Sequence, residues 1–420
     1  MEKTQRKDVF DLKVPPMEKV RIGFVGLGIR GIEAVKRYLY LPNNEIVALC
    51  DVHQPYVQQA QELLASQNKP EAKTYTEPGS WQELCRQENI DLIYISTPWE
   101  QHTEMAVYAM EQGKHVAVEV PIAMTVSECW QLVDTAEQTQ RHCMMLENCC
   151  YDIFELAVLN MVRQGVFGTV VHAEGAYIHD LRKLNFQQNE RDTLRGEWRI
   201  KYNLTHEGNP YPSHGLAPVC QAMNIHRGDA VDFLVSMSSA PFGMREYAAE
   251  TFGNDSQQAN YPYAMGDMNT TLIRTRLGKT ILLQHDVTSP RPYSRLHLIS
   301  GTKGFAQKYP TPTVSLDPEG MKPLEKNELE KLLQQHEHPF VKETAYLRTL
   351  LPDQKPMDII MDYRLIYCLH HGLPLDINVY DSVVWSCLTE LTEISVKNGC
   401  QPVKIPDFTR GKWNEITAQK

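Results

Sequence analysis

The stretch from Val20 to Asp51 limits what this chain can fold into more than any other. Val20-Arg21-Ile22-Gly23-Phe24-Val25 is a short apolar run suited to a buried parallel strand, and it breaks into Gly26-Leu27-Gly28-Ile29-Arg30-Gly31. A helical stretch follows from Ile32 to about Leu41, and Glu45-Ile46-Val47-Ala48-Leu49-Cys50 then reads as a second strand closed by Asp51. Each part has a physical task. Gly26 permits the tight turn, Gly28 lets the backbone approach a pyrophosphate, and Gly31 lets helix and strand pack closely; the helix start offers free N–H groups to phosphates. Asp51 suits the two ribose hydroxyls and repels a 2′-phosphate, and Val52 and His53 behind it bring no arginine to receive one. NAD is therefore favoured over NADP. The competing reading is a glycine turn that binds nothing; the ordered run of strand, glycines, helix, strand and acid weighs against it.

The alternation continues. Strands are expected at Asp91–Ser96, Lys114–Glu119 and His142–Asn148, with helices from about Thr103 to Gln112 and Ser127 to Thr139. Such a chain forms a doubly wound parallel sheet of the Rossmann type, with ligand at the strand C-termini. Asp51, Trp99, His102, Glu119, Glu147 and Asn148 fall at those ends. From Thr169 the pattern changes to alternation, with Val170, His172, Glu174, Ala176 and Ile178 set against Val171, Ala173, Gly175, Tyr177 and His179. Further strands are read at about Thr270–Leu277, Thr280–Asp286 and Arg295–Ser300, with Leu277-Gly278-Lys279 as a turn. The expected organisation is an N-terminal arm over 1–19, an NAD-binding α/β domain over 20–150, and an α+β domain over 151–420 with a mostly antiparallel sheet. Ile359–Cys368 and Ser382–Val396 read as amphipathic helices, one of which returns to pack on the first domain.

With 420 residues the chain is too long for one core and comfortable for two domains. Its net charge of −10 argues against nucleic acid or an anionic membrane as partner. The cysteines sit mostly in apolar stretches, with Cys149 and Cys150 adjacent and no C-x-x-C, which favours reduced thiols. Residues 1–16 lack the apolar core of a secretory signal, so a cytoplasmic location is the expectation; an exported form whose signal has been removed stays open. His336-Glu337-His338 reads as a polar helix end rather than a metal site, and His370-His371 before Gly372 as a helix C-terminus. Asp180–Pro212, rich in Arg, Asn, Tyr and Glu, is the candidate substrate loop.

Gly26–Gly31, Thr97-Pro98…His102 and Glu119-Val120-Pro121 resemble the glucose–fructose oxidoreductase/inositol dehydrogenase family (Gfo/Idh/MocA), in which the third motif usually carries lysine where this chain has Val120. A closer resemblance covers nearly the whole chain. Gly28-Ile29-Arg30-Gly31, Thr97–His102, Glu119–Pro121, Glu147–Cys149, Gly175–Asp180, Trp198-Arg199, Asn209–Gly215 and Pro292-Tyr293 look like glycoside hydrolase family 109, NAD-dependent α-N-acetylgalactosaminidases within that superfamily. The resemblance implies that Gly26, Gly28, Ile29, Arg30, Gly31, Asp51, Trp99, Glu100, Gln101, His102, Glu119, Val120, Asn148 and Tyr211 contact NAD. It implies a sugar site of Tyr177, Arg199, Tyr211, Pro212, Ser213, His214 and Tyr293.

The chemistry so implied dispenses with the paired carboxylates of ordinary glycosidases. Hydride leaves C3 of the sugar for a tightly bound, recycled NAD; the 3-ketone acidifies the C2 proton; the C1 aglycone is eliminated; water adds and the hydride returns, with retention. No metal is required. His214 suits the C3 hydroxyl and Tyr177 the C2 proton, with Arg199 the cation that lowers the phenol pKa or holds a substrate oxygen, and Tyr293 orienting the sugar. Two other readings stand beside it: an NAD-dependent sugar or cyclitol dehydrogenase, against which Val120 counts, and a catalytically silent NAD-binding scaffold. A small glycoside or the non-reducing end of a glycan is the expected partner, and an exposed face on the second sheet would suit a homo-oligomer.

Overall fold

A computed structural model describes residues 7–187 and 196–416. The chain divides into two compact units, Met1–Ile153 with Glu337–Ser386, and Phe154–His336 with Cys387–Lys420. A fifty-residue segment near the C-terminus thus groups with the first unit.

The first unit is built on six strands, β1 (Val20–Val25), β2 (Asn44–Cys50), β3 (Lys73–Tyr75), β4 (Leu92–Ile95), β5 (His115–Val118) and β6 (Cys143–Met145). They run parallel in the order β3-β2-β1-β4-β5-β6, so the order reverses between β1 and β4. Buried on both faces, β4 and β5 are apolar throughout apart from His115, as parallel strands must be. Phe24, Tyr38 and Tyr94 pack as an aromatic cluster beneath the β1–β4 switch, with ring centres 4.8–5.7 Å apart. The helices expected at 103–112 and 127–139 form at His102–Glu111 and Val126–Thr139, the latter started by a reciprocal Thr125/Glu128 cap. The returning segment contributes the helix Pro356–His371, closed by Gly372 in the left-handed conformation, so His370 and His371 do end a helix.

The second unit carries β7 (Val170–Ile178), β8 (Val231–Ser238), β9 (Asn269–Thr275), β10 (Thr280–Asp286), β11 (Leu298–Gly301), β12 (Gly304–Gln307), β13 (Thr313–Leu316) and β14 (Val403–Lys404). Their order is β13-β12-β11-β7-β10-β9-β8-β14, antiparallel except for the β7–β10 pair. The β9–β10 hairpin turns at the Gly278 predicted for it, where φ is +86°. Two sequence expectations are corrected. The strand read from Arg295 begins only at Leu298, because Leu296 and His297 take positive φ and break the ladder. The single helix read over 382–396 is two, Val379–Ser386 and Leu388–Lys397, and the break at Cys387 is where the chain leaves one unit for the other.

The candidate substrate loop is also more ordered than its composition suggests. It holds the helices Arg182–Phe186 and Glu197–Thr205, while its stretch 188–195 lies outside the described residues. Phe186 and Ile200 anchor it in a small core with Met244, Ala248, Ala259 and Tyr263.

Candidate active site

The glycine loop has the shape its sequence requires. Gly26 has φ +89°, and a Cβ there would meet Ser96 O at 2.6 Å; at Gly31 a Cβ would lie 2.1 Å from the carbonyl oxygen of Gly26. Gly28 is different: its Cβ would meet nothing within 4 Å, so the loop leaves open space at the one glycine whose backbone must approach a phosphate. The helix that follows, Ile29–Tyr38, starts with no side-chain cap. At the end of β2 the Asp51 carboxylate accepts hydrogen bonds from Leu27 N–H (2.7 Å) and His53 N–H (2.8 Å), tying the acid to the loop. A cradle, an uncapped helix start and an acid one strand away make up a donor set that fits a dinucleotide.

Around this loop the expected cofactor residues separate into two groups. Ile29, Glu100 and Gln101 are exposed, and Trp99, Glu119, Val120 and Asn148 are buried at the strand ends. Arg30 spans them: its Nε donates to Glu119 Oε1 at 2.9 Å and its Nη2 to Asp358 Oδ1 at 3.2 Å. His102 is 1% exposed and its nitrogens face the carbonyls of Pro121 (2.6 Å) and Thr97 (2.8 Å), so it pins two loops together. Burial holds its pKa below the usual histidine value, against the pull of those carbonyls.

In the second unit the predicted sugar residues meet. Tyr177 lies near the end of β7 on the same face as Gly175, and the helix Ser213–Ala222 crosses that face so closely that a Cβ on Gly175 would lie 2.2 Å from Gly215 O. This contact puts His214 beside Tyr177, with ring centres 5.1 Å apart. Tyr211 completes a triangle, 4.9 Å from Tyr177 and 4.8 Å from His214. Pro212 and Ser213, at the head of the same helix, are buried. Tyr293 joins through His179, whose ring centre is 5.1 Å from it, and it accepts a hydrogen bond from Arg295 Nη1 at 3.0 Å.

Arg199, on the helix Glu197–Thr205, stacks over Trp198 at 4.3 Å. Burial lowers its pKa, opposed by the phenols of Tyr177 and Tyr211, and by reciprocity the guanidinium steadies negative charge on either oxygen.

Sequence reasoning missed three participants. His179 Nδ1 lies 2.9 Å from the Tyr177 hydroxyl, within reach of proton transfer; it stood in the Gly175–Asp180 motif without being given a role. His285 pairs with Tyr177 across the β7–β10 ladder, and its pKa is pushed down to about 3 by burial and by Arg199. Asp358 lies 210 residues beyond Asn148, and no local signal marks it. Several buried polar atoms near this cluster have no hydrogen-bond partner among the described residues: Asn185 Nδ2, Asn209 Nδ2, Ser213 Oγ and His285 Nδ1. A polyhydroxylated ligand is the kind that satisfies such atoms. His336 and His338, by contrast, close and open helices, His338 Nδ1 accepting from Phe340 N–H.

A parallel sheet whose glycine loop fits a dinucleotide, followed by a mixed sheet bearing a cluster of proton-carrying aromatic side chains, defines a protein of the NAD-binding Rossmann class. The comparisons sharpen this. Residues 20–147 match the oxidoreductase family with an NAD-binding Rossmann fold, and residues 151–415 match the glycosyl hydrolase 109 C-terminal domain. The chain belongs to glycosyl hydrolase family 109. It is 55% identical to glycosyl hydrolase family 109 protein 2 of Phocaeicola vulgatus, over 98% of this chain and 100% of that protein. It is 53% identical to the alpha-N-acetylgalactosaminidase of Bacteroides fragilis, over 99% and 98%. Among solved structures, levoglucosan dehydrogenase in complex with NADH and levoglucosan superposes with a TM-score of 0.66 at 15% identity, covering 93% of this chain and all of that one, which shows the shared fold. The protein is thus a glycoside hydrolase with an NAD-binding domain. No helix among the described residues is long and apolar enough to cross a membrane.

Proposed function

We propose that the protein removes terminal α-linked N-acetylgalactosamine from glycans with retention, through oxidation at C3, elimination across C1–C2, water addition and re-reduction. The observation that carries this reading is the junction of Tyr177, His179, Tyr211 and His214 in one aromatic cluster with Arg199 at its side. The close relationship to the B. fragilis enzyme supports the choice of sugar. When bound, NAD supplies a reversible two-electron oxidation that activates the C2 proton, and in this reading it stays bound through the cycle.

The chain's own residues supply binding and proton movement. The glycine loop with Asp51, and Arg30, Trp99, Glu119 and Asn148 beside it, would hold the dinucleotide. His214 takes the proton of the C3 hydroxyl as an imidazole base. Tyr177 removes the C2 proton: its phenol passes its own proton toward His179 while Arg199 steadies the charge left on oxygen. Tyr211, Ser213 and Tyr293 hold the ring and its hydroxyls, the Tyr293 oxygen fixed by Arg295.

Incubating the protein with a chromogenic α-N-acetylgalactosaminide in deuterated water tests this sequence. Aglycone release with deuterium at C2 of the freed sugar, and no accumulation of NADH, is the expected outcome. Release without exchange at C2 rules out the elimination. NADH formed in step with an oxidised free sugar makes the protein a dehydrogenase.

A further inference from the structure

Asp358 belongs to none of the cofactor motifs, yet its carboxylate meets two of the residues expected to hold the dinucleotide. It sits in the first turn of Pro356–His371, the helix that the C-terminal third of the chain returns to the first unit, and it is 3% exposed. Asp358 Oδ1 accepts from Asn148 Nδ2 at 2.7 Å and from Arg30 Nη2 at 3.2 Å, while Oδ2 accepts from Arg30 Nη1 at 3.5 Å. Glu119 holds the same guanidinium at Nε.

Three strands' worth of loops therefore converge on one carboxylate: Arg30 from the start of the glycine helix, Asn148 from the end of β6, and Glu119 from the end of β5 through Arg30. Although burial pushes the Asp358 pKa upward, Arg30 and Arg37 bring it down to about 2. The carboxylate is therefore anionic near neutral pH, and its charge faces Arg30 and Asn148. An acid in the first turn of a helix ordinarily does no more than steady the helix dipole; this one is turned away from its own backbone onto two partners 210 and 328 residues distant in sequence.

We infer that Asp358 is a positioning residue for the dinucleotide, holding Arg30 and Asn148 in the arrangement that binds it. This rests on the assignment of Arg30 and Asn148 to the cofactor site. The returning helix is then part of that site without touching the ligand. An asparagine at 358 keeps the shape and one accepting oxygen, but it removes the charge that holds the guanidinium and sets an amide N–H group against Arg30 Nη1, donor to donor.

The test is NAD affinity, measured on protein stripped of cofactor by titration calorimetry, with the melting temperature followed alongside. Asp358→Asn is expected to weaken NAD binding about tenfold or more, the loss usual for a charged hydrogen-bond partner. Arg30→Met is expected to weaken it similarly, and the double variant to be no worse than the poorer single one, because the two act as a unit. Asp376→Asn serves as the control: it breaks the pair between Arg364 on the same helix and Asp376 in the loop beyond it (2.9 Å, two hydrogen bonds) and is expected to lower stability while leaving NAD affinity within twofold. If Asp358→Asn binds NAD within twofold of the parent while Arg30→Met does not, the inference is overturned and the cofactor site stands. If Arg30→Met and Asn148→Ala also bind normally, it is the assignment of those two residues that fails. Additive losses in the double variant equally overturn a role exerted through Arg30.

Discussion

At the scale of single residues, the proposed chemistry turns on the pairing of Tyr177 with His179. A phenol alone is a poor base at neutral pH; a phenol 2.9 Å from an imidazole and under the influence of a half-buried guanidinium has somewhere to send its proton and a charge to lean on. Tyr177→Phe keeps the ring packing against Tyr211 and His214 and removes only the hydroxyl. It is expected to lower kcat by 10²–10⁴, the usual range for a lost proton-transfer group, with substrate affinity little changed. His179→Gln, which leaves a polar side chain but no titrating ring, is expected to cost less, about tenfold, and to remove one ionisation from the pH–rate profile. Steady-state kinetics on a chromogenic substrate across pH 5–9 separates the two. Full activity in Tyr177→Phe would dismiss this tyrosine as the base.

At the scale of elements, the geometry of the aromatic cluster rests on one close approach. The helix Ser213–Ala222 can deliver His214 to Tyr177 only because two glycines, Gly175 on β7 and Gly215 on the helix, face each other with no side chain between. Gly175→Ala is expected to push the helix outward. Overpacking of this kind costs about 1–3 kcal/mol, and activity should fall further than stability alone explains because His214 moves with the helix. Thermal melts and kcat on the same preparation check this; an unchanged kcat would mean that the contact does not set the position of His214. The elements also show how far the sequence could be read. The strand, glycine loop and acid of the first unit were legible because their spacing is dictated by local backbone geometry. The tyrosine–histidine set was legible only through family motifs, since an alternating strand marks its buried face without saying what covers it. One C-terminal helix was expected to return to the first unit, as the segment 337–386 does, but Asp358 at the head of that helix was hidden, because an apolar stripe says nothing of the polar side chains beside it. The order within 180–212 stayed hidden for a related reason: its polar composition masked Phe186 and Ile200, two anchors too far apart for any periodicity to reveal.

At the scale of the whole molecule, buried histidines set the response to acid. His115 and His142 in the first unit are both pushed down by burial, with the neighbouring Arg141 adding to the effect, His115 well below the usual value and His142 to about 4. His285 in the second unit falls to about 3. In the unfolded chain each takes up a proton near pH 6.5, whereas the folded protein does not until far lower. Between those limits the unfolded state binds more protons, so stability is fully present above about pH 6.5 and declines as pH falls, by at most about 1.4 kcal/mol per pH unit for each histidine. Asp362, pushed up to about 6 by burial despite Arg37, works the other way: between about pH 6 and 4 it gains a proton in the folded state first, offsetting one histidine of the first unit over that range. The histidines outnumber it. His115 Nδ1 accepts the His142 N–H at 3.0 Å, so protonating that nitrogen also breaks a buried hydrogen bond. The melting temperature is therefore expected to drop steadily from pH 7 to pH 4.5. With two compact units, calorimetry is the measurement of choice, since the units need not unfold together. The Nε2 of His142 has no hydrogen-bond partner among the described residues, so His142→Phe removes the titration at little polar cost. It should flatten the pH dependence of the transition belonging to the first unit while leaving that of the second, governed by His285, as steep as before. Parallel slopes in parent and variant would assign the acid sensitivity to other groups.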